Sequence, residues 1–321
     1  MTLAMVFPGQ GSQSLGMLAE LAAQHQEVVA TFAQASGELG YDLWDLVQNG
    51  PVEDLNETRF TQPAMLAAGV ATWRVWQKRG GALPAGMAGH SLGEYTALVC
   101  AGAIEYRDAV RLVQRRAELM QDALPAGEGA MAAIIGLDDQ AVRDVCAQVI
   151  AGGVAEAVNF NSPGQVVVAG HRAAIEKVTE LAKEAGARRA ILLAVSVPSH
   201  STLMIPAGEA LAAALNAAPF QAPSIPVVNA VDAIPYTDAD DIRQRLTRQV
   251  SNPVHWVDTV QRLIADGATS IVECGPGKVL TGLQKRIDRT LPAGCIDSPD
   301  ALERELVGQQ GSIDGPLAKG A

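Results

Sequence analysis

The period of apolar and polar positions changes several times along the chain. Leu3-Ala4-Met5-Val6-Phe7 is a short unbroken apolar run that stops at the breaker cluster Pro8-Gly9-Gln10-Gly11-Ser12-Gln13. Apolar residues then recur at helical spacing from Leu15 to Val29. A buried strand, a loop and a helix follow from this. A second helical pattern runs from about Pro63 to Lys78, and Met87-Ala88-Gly89-His90-Ser91-Leu92-Gly93 passes into a third through Leu98. Strands alternating with helices in this way predict a parallel α/β sheet.

From Gly129 the rhythm tightens. Ala130–Ile135 reads as a strand, Asp138–Ile150 as a helix, Val154–Phe160 and Gln165–Ala169 as strands around a turn, His171–Ala185 as a helix and Arg189–Val197 as a strand. The order β-α-β-β-α-β is that of a ferredoxin-like unit. The expected organisation is a discontinuous large α/β domain, residues 1–127 and 198–308, with a small domain, 128–197, inserted in it. A cleft between the two bodies is the expected ligand site. A last helix spans roughly Lys278 to Arg289, and 309–321, polar and glycine-rich, reads as a disordered tail.

Composition narrows the classes. Hydrophobic residues make up 48% and charged residues 18% of 321, which suits a globular chain with a large core. The net charge of −11 argues against nucleic acid and anionic membrane surfaces as partners, so an anionic ligand needs a local basic patch. Cys100, Cys146, Cys274 and Cys295 are too sparse for a disulfide framework and lack zinc spacing. Residues 1–50 hold no Lys or Arg to flank a signal peptide, and no apolar run approaches a membrane span. A cytoplasmic monomer is expected.

Gly89-His90-Ser91-Leu92-Gly93 matches the G-x-S-x-G elbow, whose glycines permit a sharp strand-to-helix turn that exposes the serine hydroxyl. Amides at the following helix N-terminus can stabilise an oxyanion formed when Ser91 attacks a carbonyl. Serine needs a base, and the sequence holds five histidines. His90 should point away from Ser91, His25 lies in a polar helical stretch, and His171 opens the second helix of the small domain. His200, where the chain re-enters the large domain, and His255, at a helix start, remain as candidates, with position favouring His200. Arg115-Arg116 lies in an apolar-striped helix, Ala109–Met120, that reads as largely buried, and a buried arginine needs an anion. Such a residue ordinarily pairs with a protein carboxylate such as Glu118 or Glu105; the alternative is a fork for a substrate carboxylate. Asn159 to Gln165 places amides, among them Asn161 and Gln165, between two strands where they suit a neutral ligand arm; the alternative, favoured by the residues alone, is a polar hairpin that touches nothing.

Seven stretches together resemble the malonyl-CoA:acyl carrier protein transacylases of bacterial type II fatty acid synthesis: Phe7–Gly11, Gly89–Tyr95, Gln114–Met120, Ala130–Gly136, Asn159–Gly170, Ser196–Ser201 and Glu273–Leu283. The resemblance implies an α/β-hydrolase-like body with a ferredoxin-like insert. It further implies Ser91 as the acylated nucleophile, His200 as base, and Gln10 with the Leu92 amide as oxyanion hole. Arg116 falls in register as the binder of the malonyl carboxylate, and Gln249 as the residue whose backbone carbonyl orients the histidine. The implied reaction is ping-pong transfer of malonyl from malonyl-CoA to the phosphopantetheine thiol of acyl carrier protein, with no cofactor. A serine hydrolase using the same pair, an idle binding protein and a polyketide acyltransferase are the rival readings. Arg188-Arg189 and Lys285-Arg286 with Arg289 are the basic clusters available to an acidic carrier.

Overall fold

The computed structural model describes residues 2–149, 153–195 and 197–310. Its larger sheet is five-stranded and parallel, with β1 (Leu3–Phe7), β2 (Gly86–Gly89), β7 (Val227–Val228), β8 (Ser270–Cys274) and β9 (Ala293–Ile296) in the order β7-β2-β1-β8-β9. The central strand β1 is buried on both faces, which is why it reads as a continuous apolar run. Its alternate residues divide between two cores. Leu3, Met5 and Phe7 join the cluster under the helices Gln26–Leu39, Thr58–Lys78, Tyr106–Gln121 and Ile205–Ala217. Ala4 and Val6 face the cluster formed with Trp256–Ala265 and Val279–Ile287.

The second sheet is antiparallel and contains β3 (Gly129–Ile135), β4 (Ala155–Ser162), β5 (Gln165–His171) and β6 (Arg189–Leu192) in the order β4-β5-β3-β6. With the helices Asp139–Ala147 and Arg172–Glu184 this is the ferredoxin-like β-α-β-β-α-β arrangement. Its core, built on Ile134, Val142, Val166, Ile175 and Val178, is separate from that of the parallel sheet. The molecule is thus an α/β fold in which a parallel-sheet body accompanies a ferredoxin-like unit.

Three boundaries differ from the sequence expectation. The helix expected over Leu15–Val29 is two helices, Ala19–Gln24 and Gln26–Leu39, because Gly16 and Leu18 take positive φ and His25 between the helices is extended. The strand expected over Arg189–Val197 ends at Leu192, and the chain beyond it turns toward the body to line a cavity. The helix Pro299–Gln310 takes in the first two residues of the tail expected over 309–321; residues 311–321, Ser196 and Ile150 lie outside the described residues.

Strand β4 is also stitched to the parallel-sheet body. The Phe160 amide donates to the Val254 carbonyl at 2.9 Å and the Val254 amide to the Val158 carbonyl at 2.8 Å. The Phe160 ring stacks on His255 at 5.2 Å. The antiparallel unit therefore braces the segment that follows Gln249.

Candidate active site

The site forms at the carboxyl ends of β1 and β2, the position where parallel α/β sheets ordinarily bind ligands. Strand β2 ends at Gly89, and after three residues the chain enters the helix Gly93–Cys100. Ser91, at the apex, has φ +52°, in the left-handed region. Glycine is obligatory on both sides. A Cβ on Gly89 would lie 1.9 Å from the Gly93 carbonyl carbon, and one on Gly93 would lie 2.0 Å from the Phe7 carbonyl oxygen. The elbow therefore packs directly on the end of β1.

Ser91 Oγ lies 2.7 Å from His200 Nε2, although the two residues are 109 positions apart. His200 is 2% exposed and also has positive φ, +68°, with its amide donating to the Val250 carbonyl. Its Nδ1 lies 2.8 Å from the Gln249 carbonyl and 3.2 Å from that of Asn252. Two carbonyl acceptors require the proton on Nδ1, leaving Nε2 free to take the serine proton. Burial, followed by the Arg116 charge, pulls the imidazole down to about 3, so it is neutral at neutral pH. His255, the other candidate base, stacks on Phe160 with Nδ1 3.6 Å from Asp258. His90 points away to Asn161, as its position beside Ser91 predicts.

Arg116 is 1% exposed, whereas Arg115 is exposed and pairs with Glu118. The expected carboxylate partner of the buried arginine is absent among the described residues. Its Nη1 donates to Gln62 Oε1 at 2.6 Å, and its Nη2 to Gln249 Oε1 at 3.0 Å and to Ser91 Oγ at 3.2 Å. The Tyr95 ring centroid lies 5.4 Å from the guanidinium carbon, and Nε has no partner among the described residues. A buried cation whose hydrogen-bond partners are all neutral can receive the charge of a ligand carboxylate.

A cavity of about 260 Å³ opens on these groups. Gln10, Ser91, Leu92, Arg116 and His200 line it, with Asn159 and an apolar wall of Met120, Met131, Leu193 and Val195. Leu92 precedes the first residue of the Gly93–Cys100 helix, where amides lack intrahelical acceptors. Gln10 reaches the cavity from the loop after β1, its side-chain amide 3.3 Å from Thr58 Oγ1.

Two expected ligand residues stand elsewhere. Asn161 Oδ1 is 2.8 Å from His90 Nε2, and the Gln165 side chain accepts from Arg286; neither lines the cavity. The pairing of β4 with β5 is irregular at this point and skips Val158 and Asn161. Asn159 lines the cavity, while Asn161 holds the His90 ring beside Ser91. Residues the sequence reading left without a role also converge here: Gln62, Glu94 and Tyr236. Their signal was faint, a polar group inside an otherwise apolar helical run for the first two.

Glu94 is fully buried in the helix that starts at the elbow. It accepts from Gln249 Nε2 at 2.8 Å, from the Ala230 amide at 3.3 Å and from the Tyr236 hydroxyl. Burial pushes its carboxyl up to about 7 against the opposing effect of these donors and Arg116.

Comparison with known proteins agrees with this geometry. The acyl transferase domain family matches residues 4–308. The malonyl CoA-acyl carrier protein transacylase of Salmonella typhimurium is 57% identical over 303 residues, covering 94% of this chain and 98% of that protein. The corresponding Bacillus subtilis protein is 43% identical over 302 residues, 94% of this chain and 95% of its own. An acyl carrier protein S-malonyltransferase from Vibrio cholerae superposes with a TM-score of 0.91 at 56% identity, covering 95% of this chain and 99% of that one. A malonyl-transacylase solved in complex with a type II PKS acyl-carrier protein gives 0.94 at 54% identity, covering 96% and 100%. The chain belongs to the acyl transferase family and, within it, to the malonyl-CoA:acyl carrier protein transacylases.

Proposed function

We infer that this protein moves a malonyl group from malonyl-CoA to the phosphopantetheine thiol of acyl carrier protein through a malonyl ester on Ser91. The observation that carries the reading is the buried Arg116, held by neutral acceptors 3.2 Å from the hydroxyl that lies on His200. Ser91 Oγ attacks the thioester carbonyl while His200 Nε2 takes its proton. The Nδ1–H bond to the Gln249 carbonyl keeps the ring in place and stabilises the imidazolium. The oxyanion accepts from the Leu92 amide and from Gln10, each such donor supplying roughly 10²–10³-fold. Collapse breaks the carbon–sulfur bond, and coenzyme A leaves with the proton from Nε2. In the second half-reaction His200 takes the carrier thiol's proton, the thiolate attacks the ester, and Ser91 recovers its proton.

In this reading residues 1–127 and 198–308 form the catalytic body, with 128–197 as an inserted domain that walls the acyl site through Met131 and Asn159. Each step is met by these side chains and backbone groups, with coenzyme A as part of the substrate. The cysteines, free and buried, suit a reducing cytoplasmic setting. Arg116 separates this reading from a hydrolase of neutral esters, which has no use for a buried cation beside the nucleophile.

Intact-protein mass spectrometry after incubation with malonyl-CoA tests the proposal. A malonyl adduct is expected on the wild type, absent in Ser91→Ala and formed roughly 10²–10⁴-fold more slowly in His200→Ala; an adduct at the wild-type rate in Ser91→Ala overturns it. Likeness to the partner of a type II PKS carrier favours a second reading, in which the carrier serves polyketide rather than fatty acid assembly. Transfer rates to the two kinds of carrier, measured side by side, decide between them.

A further inference from the structure

The side-chain amide of Gln249 stands between a buried carboxylate and a buried guanidinium that would otherwise pair. Its Oε1 accepts from Arg116 Nη2 at 3.0 Å, while its Nε2 donates to Glu94 Oε2 at 2.8 Å and to the Ser91 carbonyl at 3.0 Å. Only one orientation of the amide satisfies this set. Rotation by 180° would set its NH2 against the guanidinium donors and its oxygen against two acceptors. Glu94 is in turn fixed by the Ala230 amide and the Tyr236 hydroxyl, so it cannot advance onto the arginine without abandoning both.

A carboxylate in direct contact would form a charge-assisted pair inside the protein, and a substrate carboxylate would have to displace it. An amide accepts the same hydrogen bond without neutralising the cation. We propose that Gln249 is a neutral spacer and Glu94 the positioning residue that orients it, together keeping Arg116 free of any protein anion so that it discriminates for an acyl group bearing a carboxylate. This rests on the reading of Arg116 as the binder of the malonyl carboxylate. The role lies in the Gln249 side chain and is separate from the backbone carbonyl that orients His200.

Exchanging the two residues tests the idea. In the double variant Glu94→Gln/Gln249→Glu the side-chain sizes are kept, the backbone carbonyl at 249 is retained, and the carboxylate moves to the arginine side. The readout is the ratio of kcat/KM for malonyl-CoA to that for acetyl-CoA, in which losses common to both substrates cancel. The exchange should lower the ratio by roughly 10- to 150-fold, with KM for malonyl-CoA rising, as expected when a charge-assisted pair must be displaced. Glu94→Gln alone, which still offers an oxygen to Gln249 Nε2, should keep the ratio near wild type. Glu94→Ala, which offers none, should lower it, so rescue by the conservative variant separates positioning from charge. A purely structural Glu94 would depress both substrates alike. Retention of the wild-type ratio by the exchanged protein, while Arg116→Ala loses it, overturns the spacer; retention by Arg116→Ala overturns the underlying reading of Arg116 instead.

Discussion

Replacing Arg116 with alanine perturbs two properties at once. Three hydrogen bonds, to Gln62, Gln249 and Ser91, leave two of the five guanidinium donors uncommitted in the free protein. The bond to Ser91, at 3.2 Å, is the longest and the most readily redirected. A malonyl carboxylate can therefore be received without breaking the two amide contacts. A charge-assisted pair of this kind contributes roughly 1.5–3 kcal/mol, equivalent to a preference of roughly 10- to 150-fold for malonyl over acetyl. Arg116→Ala should erase a factor of this size from the kcat/KM ratio, and Arg116→Lys should recover little because an ammonium lacks the planar fork. The second consequence concerns His200, which the Arg116 charge holds down after burial has already lowered it. Removing the cation should shift the acid limb of kcat/KM for acetyl-CoA to higher pH. The assay is steady-state transfer of both substrates across pH for wild type, Arg116→Ala, Arg116→Lys and the exposed-site control Arg115→Ala, after circular dichroism has matched their folds. An Arg116→Ala protein with an unchanged substrate ratio and an unmoved acid limb would refute the reasoning.

Gly93→Ala forces a methyl to within 2.0 Å of the Phe7 carbonyl oxygen, so it should cost at least the roughly 1–3 kcal/mol of an overpacked core and lower acylation with it; a melting curve equal to wild type would count against the elbow packing. Glu94, raised by burial from 4.5 to about 7, favours the fold when protonated and costs stability as pH climbs between those values. His200, lowered from 6.5 to about 3, has the opposite slope over its own range. Glu94→Gln removes only the first effect, so its melting temperature relative to wild type should rise with pH from about 4.5 through 7, and a constant difference would contradict the assignment. Gln165, Ile135 and Arg189 lie in register across the antiparallel sheet, and Arg286 reaches Gln165, which puts both basic clusters along one edge. Charge reversal at Arg189 and Arg286 should slow transfer to an acidic carrier and flatten its salt dependence, whereas malonylation of Ser91 should be little changed; a carrier rate that does not respond removes this edge as the docking surface.

What could be read from the sequence was what local spacing dictates. The elbow at Ser91 is written in five consecutive residues, because the clashes that demand glycine at 89 and 93 arise within one turn and its nearest strand. The ferredoxin-like order was legible for the same reason, since each of its elements carries its own period. His200 could only be favoured over His255, because nothing in the local pattern says that one histidine reaches Ser91 and the other stacks on Phe160. The contact of Asn161 with His90 was not legible, because a meeting of two elements distant in sequence leaves no mark in either one. The two amide partners of Arg116 come from the helices Thr58–Lys78 and Ala239–Gln249, and their convergence is a product of tertiary packing.

The described residues include four non-glycine positions with positive φ, and two of them are Ser91 and His200. A left-handed backbone costs an ordinary L-residue roughly 1–2 kcal/mol, so the two groups that exchange the reacting proton sit where the chain would be more comfortable with glycine or asparagine. Heat resistance and acyl transfer thus make opposite demands on the codon for Ser91. A library screened for melting temperature alone should drift toward glycine at 91, yielding robust proteins with no nucleophile, whereas at 200 the loss of the buried, hydrogen-bonded imidazole outweighs the relief. Any effort to harden this enzyme has to hold those positions fixed and look for its gains elsewhere.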